Sequence, residues 1–238
     1  MTMPTHAMVL AAGKGLRMRP LTEHTPKPLI PVAGRCMLDR AMDRLNEVGV
    51  PHRIVNAHWL GEQVAAHLEH HAGVTISRED VLLETGGGVA LALPLLGDKA
   101  FFVCNADIIW IDSAQPALAR LAEAWDDART DALLLVQPVD SAFGYEGAGD
   151  FTHGPDGQLQ RRKGDARAPY VFTGVQILHP RLFVDAPSGA FSLNILYDRA
   201  QTTGRLHGLV HDGDWLHIGT PEALTEAEAW FAAHKGKA

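Results

Sequence analysis

The chain has 238 residues, 46% of them hydrophobic, enough to build one large domain or a domain with a small lobe. A formal net charge of −7 speaks against a nucleic-acid partner, and no apolar run approaches the length of a membrane span. Two cysteines, Cys36 and Cys104, both in apolar segments, make no disulfide scaffold and are expected as reduced core thiols of a cytoplasmic protein.

Residues 1–6 are too few and too polar for a secretory leader. Residues 7–12 read as a first strand. Met37, Leu38, Ala41, Leu45 and Val48 recur at helical spacing up to Gly49. Residues 52–56 read as a second strand, 60–71 as a helix with Leu60, Val64 and Leu68 on one stripe, and 74–77 as a short strand. A helix over 88–96, a buried strand over 100–105, a helix over 118–125 and a strand over 132–138 continue the alternation. This pattern predicts an α/β fold: a Rossmann-like, mainly parallel mixed sheet with helices on both faces.

The character changes after Asp140. Residues 141–163 are rich in Gly and Asp, and Gly154-Pro155-Asp156-Gly157 reads as a hairpin turn. A strand over 170–178, a helix over 191–201 and strands over 206–210 and 214–218 follow. Thr220 caps a last helix opened by Pro221; Ala223 at its third position completes no capping box. Residues 234–238 are expected to fray. The chain is read as one domain over 1–238, in two parts, 1–140 and 141–238.

The loop after the first strand carries the strongest chemical signal. The run Leu10-Ala11-Ala12-Gly13-Lys14-Gly15 turns from apolar to small residues and then alternates glycine with lysine. Glycines let successive backbone N–H groups point inward as an anion-binding nest, and Lys14, Arg17 and Lys27 bring three cations near it. It lacks the spacing of a Walker A loop, and Met18 stands where a dinucleotide fingerprint needs its third glycine. Pro26 and Pro28 restrict the backbone on both sides of Lys27, which lowers the entropy cost of fixing that ammonium.

The stretch Leu10-Ala11-Ala12-Gly13 through Arg17-Met18-Arg19-Pro20-Leu21-Thr22, then Thr25-Pro26-Lys27-Pro28, resembles the signature of the sugar-1-phosphate nucleotidylyltransferases. The resemblance extends to Trp215-Leu216-His217-Ile218-Gly219-Thr220-Pro221. Within that family, Glu84-Thr85-Gly86-Gly87-Gly88 and Asn56-Ala57-His58-Trp59-Leu60 look most like the N-acetylmuramate-1-phosphate uridylyltransferases of peptidoglycan recycling. Mannose-1-phosphate guanylyltransferases, which use GTP, are the nearest alternative. The resemblance implies a nucleotide-binding part over 1–140, a small sugar-binding β lobe with the C-terminal helix over 141–238, and a monomer or homodimer. It implies a nucleoside triphosphate, UTP above others, and a sugar 1-phosphate as partners, with no nucleic acid and no membrane.

The resemblance also distributes roles. Leu10, Ala11, Ala12, Gly13, Lys14 and Gly15 would cradle the nucleotide, Arg17 would hold the triphosphate and leaving pyrophosphate, and Lys27 the α-phosphate and attacking phosphate. Glu84, Thr85, Gly86, Gly87 and Asn105 complete the nucleotide set; plain alternatives are a surface arginine at 17 and an ordinary helix start at 84–88. Asp107, at the carboxyl end of a buried strand, is expected to bind Mg²⁺ (Mn²⁺ as the alternative), or else to cap the next segment. Asp150, Lys163, Thr173, Gly174 and Asn194 match sugar-phosphate positions, although Lys163 in Arg161-Arg162-Lys163 reads equally as a solvated basic turn.

One position departs from the family pattern. The motif W-x-D-x-G-T carries a second metal-binding aspartate, and this chain has His217 there. Imidazole is a poor magnesium ligand, so His217 implies a single-carboxylate metal site, a softer ion, or a nucleotide-binding regulatory protein with weak turnover. His67, His70 and His71 fall on or near a polar helix face and are read as solvated, not as a metal cluster.

Overall fold

A computed structural model of the chain describes residues 3–234. Strand β1 (His6–Leu10) opens into a long loop, which a hairpin of β2 (Pro31–Val32) and β3 (Arg35–Cys36) joins to helix α1 (Met37–Glu47). β4 (His52–Ala57), α2 (Gly61–Leu68), β5 (Val74–Arg78), α3 (Glu84–Leu96) and β6 (Phe101–Asn105) continue the alternation. β7 (Ile108–Ile111), α4 (Ala117–Ala124) and β8 (Ala132–Pro138) follow, then the short strands β9 (Ala142–Phe143), β10 (Phe151–His153) and β11 (Leu159–Arg161). β12 (Tyr170–Leu178), α5 (Asn194–Thr202), β13 (Leu206–Val210), β14 (Asp214–His217) and α6 (Pro221–Ala233) complete the described chain.

The central sheet is mixed. β5, β4, β1 and β6 run parallel; β12 lies antiparallel to β6 and to β8, and β13 runs parallel to β8. Alternation along β1 explains the layering: Ala7 and Val9 join the core under α1, α2 and α4, while Met8 joins the core under α3 and α5. Both faces of the sheet are thus covered by helices. Leu45 of α1 is fully buried, and its truncation to alanine would cost about 2–5 kcal/mol in transfer and cavity terms.

Several boundaries differ from the pattern-based expectation. α2 is shorter and α5 begins later, at Asn194, because the segment before α5 is spent on contacts with α3. β7 was not anticipated; it pairs antiparallel with β14, which pairs with β9, forming a small sheet beside the main one. α3 begins at Glu84, four residues before the expected start, and takes the glycine run into the helix. The hairpin at Gly154-Pro155-Asp156-Gly157 does join β10 to β11, and Thr220 does cap α6, accepting from Ala223 N–H at 3.2 Å. The fraying expected over 234–238 concerns residues of which 235–238 lie outside those described.

The carboxyl ends of β1, β4 and β6 converge on one side of the sheet. In open α/β sheets this is where a crevice forms, because the loops leaving those strands diverge to opposite faces.

Candidate active site

That crevice holds a cavity of about 640 Å³. Its floor is the loop after β1, residues 10–18, and its far walls carry Lys27, Asn56, Glu84, Thr85, Asn105 and Asp107. The sequence-predicted nucleotide positions from Leu10 to Gly15 are therefore gathered here with Arg17, Lys27 and Asp107.

The loop is held open by defined contacts. Gly15 sits at φ +59°, and a Cβ there would lie 2.9 Å from the Thr22 γ-methyl and 3.1 Å from the Lys27 β-carbon. Its carbonyl accepts from the Thr22 hydroxyl at 2.8 Å and from Met18 N–H at 2.9 Å. At the other end Ala11 N–H donates to Asn56 Oδ1 at 2.6 Å, and Asn56 Nδ2 donates to Glu79 Oε1 at 2.6 Å. Asn56 and Glu79 are both buried, so this chain of bonds fixes the loop from beneath. Neither residue was singled out from sequence for this role; a buried polar pair on separate elements leaves no local pattern.

Lys27, held between its two prolines, is drawn out of solvent. Its side chain is 7% exposed, and Nζ lies 2.8 Å from Asp107 Oδ2, whose side chain is 41% exposed. One partner is thus a desolvated cation at the back of the cavity, and the other a carboxylate open to it. Arg17 is exposed at the mouth. Asn105 is given room by Gly174, at φ +88°, where a Cβ would lie 2.9 Å from Asn105 Nδ2. A register shift in the β8–β12 pairing between Phe172 and Gln176 creates that space.

His217 ends β14 opposite Ile108, next to Asp107, but the cavity wall there is Gly219. A Cβ on Gly219 would lie 3.2 Å from both Arg17 Nη1 and His217 Nε2, so the histidine stands just behind the arginine. Burial, then the nearby Lys27 and Arg17 cations, hold His217 below the usual histidine range against the opposing pull of Asp107. These surroundings favour the neutral imidazole. Asp107 thus offers one free hard oxygen and His217 a neutral nitrogen behind it, a donor set that fits a divalent cation completed by phosphate oxygens.

The glycine run behaves differently from the sequence expectation. Glu84, at φ +57°, and Thr85 line the cavity, but Gly86 and Gly87 do not. Their N–H groups both donate to Phe191 O, at 2.8 and 3.1 Å. A Cβ on Gly86 would lie 2.3 Å from the Phe191 ring, and one on Gly87 2.3 Å from Gly189 O. These glycines are spent on close approach of α3 to residues 189–191, which brings Ser192 into the cavity wall.

The remaining predicted positions separate. Asp150 and Asn194 line a second cavity of about 220 Å³ with Arg161 and Arg162, and Asp150 Oδ2 accepts from Phe172 N–H at 2.9 Å. Lys163 is exposed and lines neither cavity. Thr173 is fully buried, its hydroxyl donating to Leu135 O at 2.8 Å and its carbonyl accepting from Trp215 Nε1 at 2.9 Å. Its hydroxyl is committed to the core, and it positions the sheet behind Asn105.

A family model for the MobA-like NTP transferase domain matches residues 7–142. Over 236 residues the chain is 41% identical to an N-acetylmuramate alpha-1-phosphate uridylyltransferase of Caulobacter vibrioides, covering 96% of this chain and 98% of that one. An enzyme of the same name from Neisseria meningitidis serogroup B is 35% identical over 236 residues, covering 96% of this chain and 99% of its own. Among solved structures, a UDP-glucose pyrophosphorylase complexed with UDP-glucose superposes with a TM-score of 0.78 at 16% identity, covering 97% of this chain and 99% of that one.

Proposed function

The chain belongs to the MobA-like NTP transferase family, as an enzyme that joins a nucleoside triphosphate to a sugar 1-phosphate, and we propose that its donor is UTP and its acceptor N-acetylmuramate 1-phosphate. The observation that carries this specificity is the likeness to two uridylyltransferases of that name along nearly their whole lengths. The cavity chemistry is consistent with it: a glycine-containing loop, the exposed cations Lys14 and Arg17, the buried cation Lys27, and the carboxylates of Asp107 and Glu84.

In the reaction, an oxygen of the sugar phosphate attacks the α-phosphorus of the triphosphate. The new P–O bond forms as the bond to the β-phosphate oxygen breaks, and pyrophosphate leaves. No proton has to be removed from an already ionised phosphate, so catalysis is positioning and charge neutralisation. In this reading the loop over residues 11–15 holds the phosphates, Arg17 neutralises the departing pyrophosphate, and Lys27 bridges the α-phosphate and the incoming phosphate. A Mg²⁺ ion held by Asp107 and phosphate oxygens would supply further charge neutralisation at the triphosphate. Glu84, Thr85 and Asn105 would flank the nucleoside, and Asp150 and Asn194 in the second cavity the sugar. Residues 1–140 would then serve the nucleotide and 141–238 the sugar phosphate. No helix among the described residues is long and apolar enough to cross a membrane, and we place the reaction in the cytoplasm.

The test is pyrophosphate release with a matrix of four nucleoside triphosphates against N-acetylmuramate, N-acetylglucosamine, glucose and mannose 1-phosphates. The highest kcat/KM is expected for UTP with N-acetylmuramate 1-phosphate. A higher value for GTP with mannose 1-phosphate would replace this reading. No turnover with any pair would point to a regulatory protein that keeps only binding.

A further inference from the structure

Away from the cavity, three chemically different donors converge where two helices meet. Cys36 ends β3 and caps α1, Asp39 lies in the first turn of α1, and His67 lies in the last turn of α2. His67 Nε2 is 2.7 Å from Asp39 Oδ1 and 3.7 Å from Cys36 Sγ, and all three ligand atoms lie within 4.8 Å of one another. Among the described residues this is the one group of three or more such side chains that converges in this way. None of the three lines the active-site cavity. The sequence-based reading of His67 as merely solvated is therefore incomplete, since its ring is aimed inward at a thiol and a carboxylate.

The geometry distinguishes what this cluster does. A nucleophile–histidine–carboxylate relay uses both imidazole nitrogens, one toward the nucleophile and one toward the carboxylate. Here the same nitrogen, Nε2, faces both partners, so no proton can be relayed from Cys36 to Asp39 through the ring. Burial also pushes the Cys36 thiol up to about 11, the opposite of an activated nucleophile. Convergence of sulfur, nitrogen and oxygen on one point is instead the arrangement of a metal centre. With Zn–S near 2.3 Å and Zn–N near 2.0 Å, a tetrahedral site places sulfur and nitrogen about 3.5 Å apart, close to the 3.7 Å already present. The nitrogen–oxygen edge of such a site is about 3.4 Å, so the Asp39–His67 hydrogen bond must open by less than an ångström.

We propose that Cys36, Asp39 and His67 form a binding site for a zinc-class transition ion, separate from the hard-cation position at Asp107. Thiolate and imidazole select a borderline-soft ion, whereas Mg²⁺ is disfavoured by that donor set. His67 is one-third exposed, so a water completes the fourth position from the solvent side. The ion bridges the start of α1 to the end of α2. It thereby clamps the hairpin that follows the Lys27 turn against the helix that follows β4.

The test uses reduced full-length protein and Co²⁺ as a spectroscopic probe. One equivalent of Co²⁺ is expected to give a thiolate-to-metal charge-transfer band, which Zn²⁺ then removes by displacement. The other thiol, Cys104, is wholly buried in β6, so such a band reports Cys36. Cys36→Ser should abolish the band. His67→Gln, a change at a partly exposed position that leaves the fold intact by circular dichroism, should weaken Co²⁺ binding at least tenfold. Zn²⁺ should raise the Tm of the parent and not that of His67→Gln, whereas Asp107→Asn should retain the band. Absence of a charge-transfer band in the parent at stoichiometric Co²⁺, or an undiminished band in His67→Gln, overturns the proposal.

Discussion

The ammonium of Lys27 and the carboxylate of Asp107 meet at 2.8 Å across 80 residues of chain. The lysine is nearly dry and the aspartate is open to the cavity. In the proposed reaction, phosphate oxygens would therefore compete with the Asp107 carboxylate for the Lys27 ammonium. Charge-assisted contacts are strongest where water is excluded, which is the condition at Lys27 and not at Arg17.

Removing either cation should cost activity more than stability. Lys27→Met keeps the apolar stem and is expected to lower kcat/KM by about 3 kcal/mol of transition-state stabilisation, on the order of a hundredfold. Arg17→Ala should lose a smaller factor, at least tenfold, with no change in Tm, because its side chain is exposed. Steady-state pyrophosphate release with a parallel melting curve checks both. Near-normal kcat/KM in either variant would remove that residue from the phosphate site.

The metal assignment rests on Asp107. Asp107→Asn keeps the shape and removes the charge, so Mg²⁺-dependent turnover should collapse at an ion concentration limiting for the parent. His217→Asp should do the reverse, lowering the Mg²⁺ concentration for half-maximal rate while leaving the maximal rate unchanged or higher. Burial and two neighbouring cations favour the neutral imidazole, so its loss is expected to remove little positive charge. A large rate loss in His217→Asp at saturating Mg²⁺ would instead make the histidine a working part of the site.

The glycine run of α3 is expected to fail structurally when filled. A methyl group at Gly86 would strike the Phe191 ring and its carbonyl, so Gly86→Ala should destabilise the protein by about 1–3 kcal/mol. Urea unfolding measures this directly. An unchanged midpoint with a raised KM for the triphosphate would return Gly86 to the nucleotide pocket.

Stability should fall on mild acidification. His211 is 3% exposed, and burial holds it below the ordinary value of 6.5. The unfolded chain therefore takes up a proton before the folded one does. Stability is full above about the unfolded value and is lost as pH drops from there toward the folded one. Chemical unfolding between pH 7.5 and 5 should show that loss, and His211→Gln should lessen it. Equal slopes for parent and variant would rule the residue out as its source.

The sequence by itself determined what is local. The small-residue turn after β1, the proline-flanked Lys27, the alternation of strand and helix, the hairpin after β10 and the cap of α6 all follow from backbone preferences and side-chain period within a few residues. Only the tertiary structure decided which distant groups face each other. Lys27 opposite Asp107, Asn56 beneath Ala11, Thr173 turned into the core and Cys36 beside His67 each depend on strand order and helix packing. The glycines at 86–88 show the limit most clearly. Locally, three glycines read as an open loop beside a ligand; in the fold, Gly86 and Gly87 let α3 close onto Phe191 and Gly189, and Gly88 leaves room for the Asn56–Glu79 pair. A glycine's lack of a Cβ is visible in sequence, but whether a ligand or another part of the chain fills that space is settled by long-range packing.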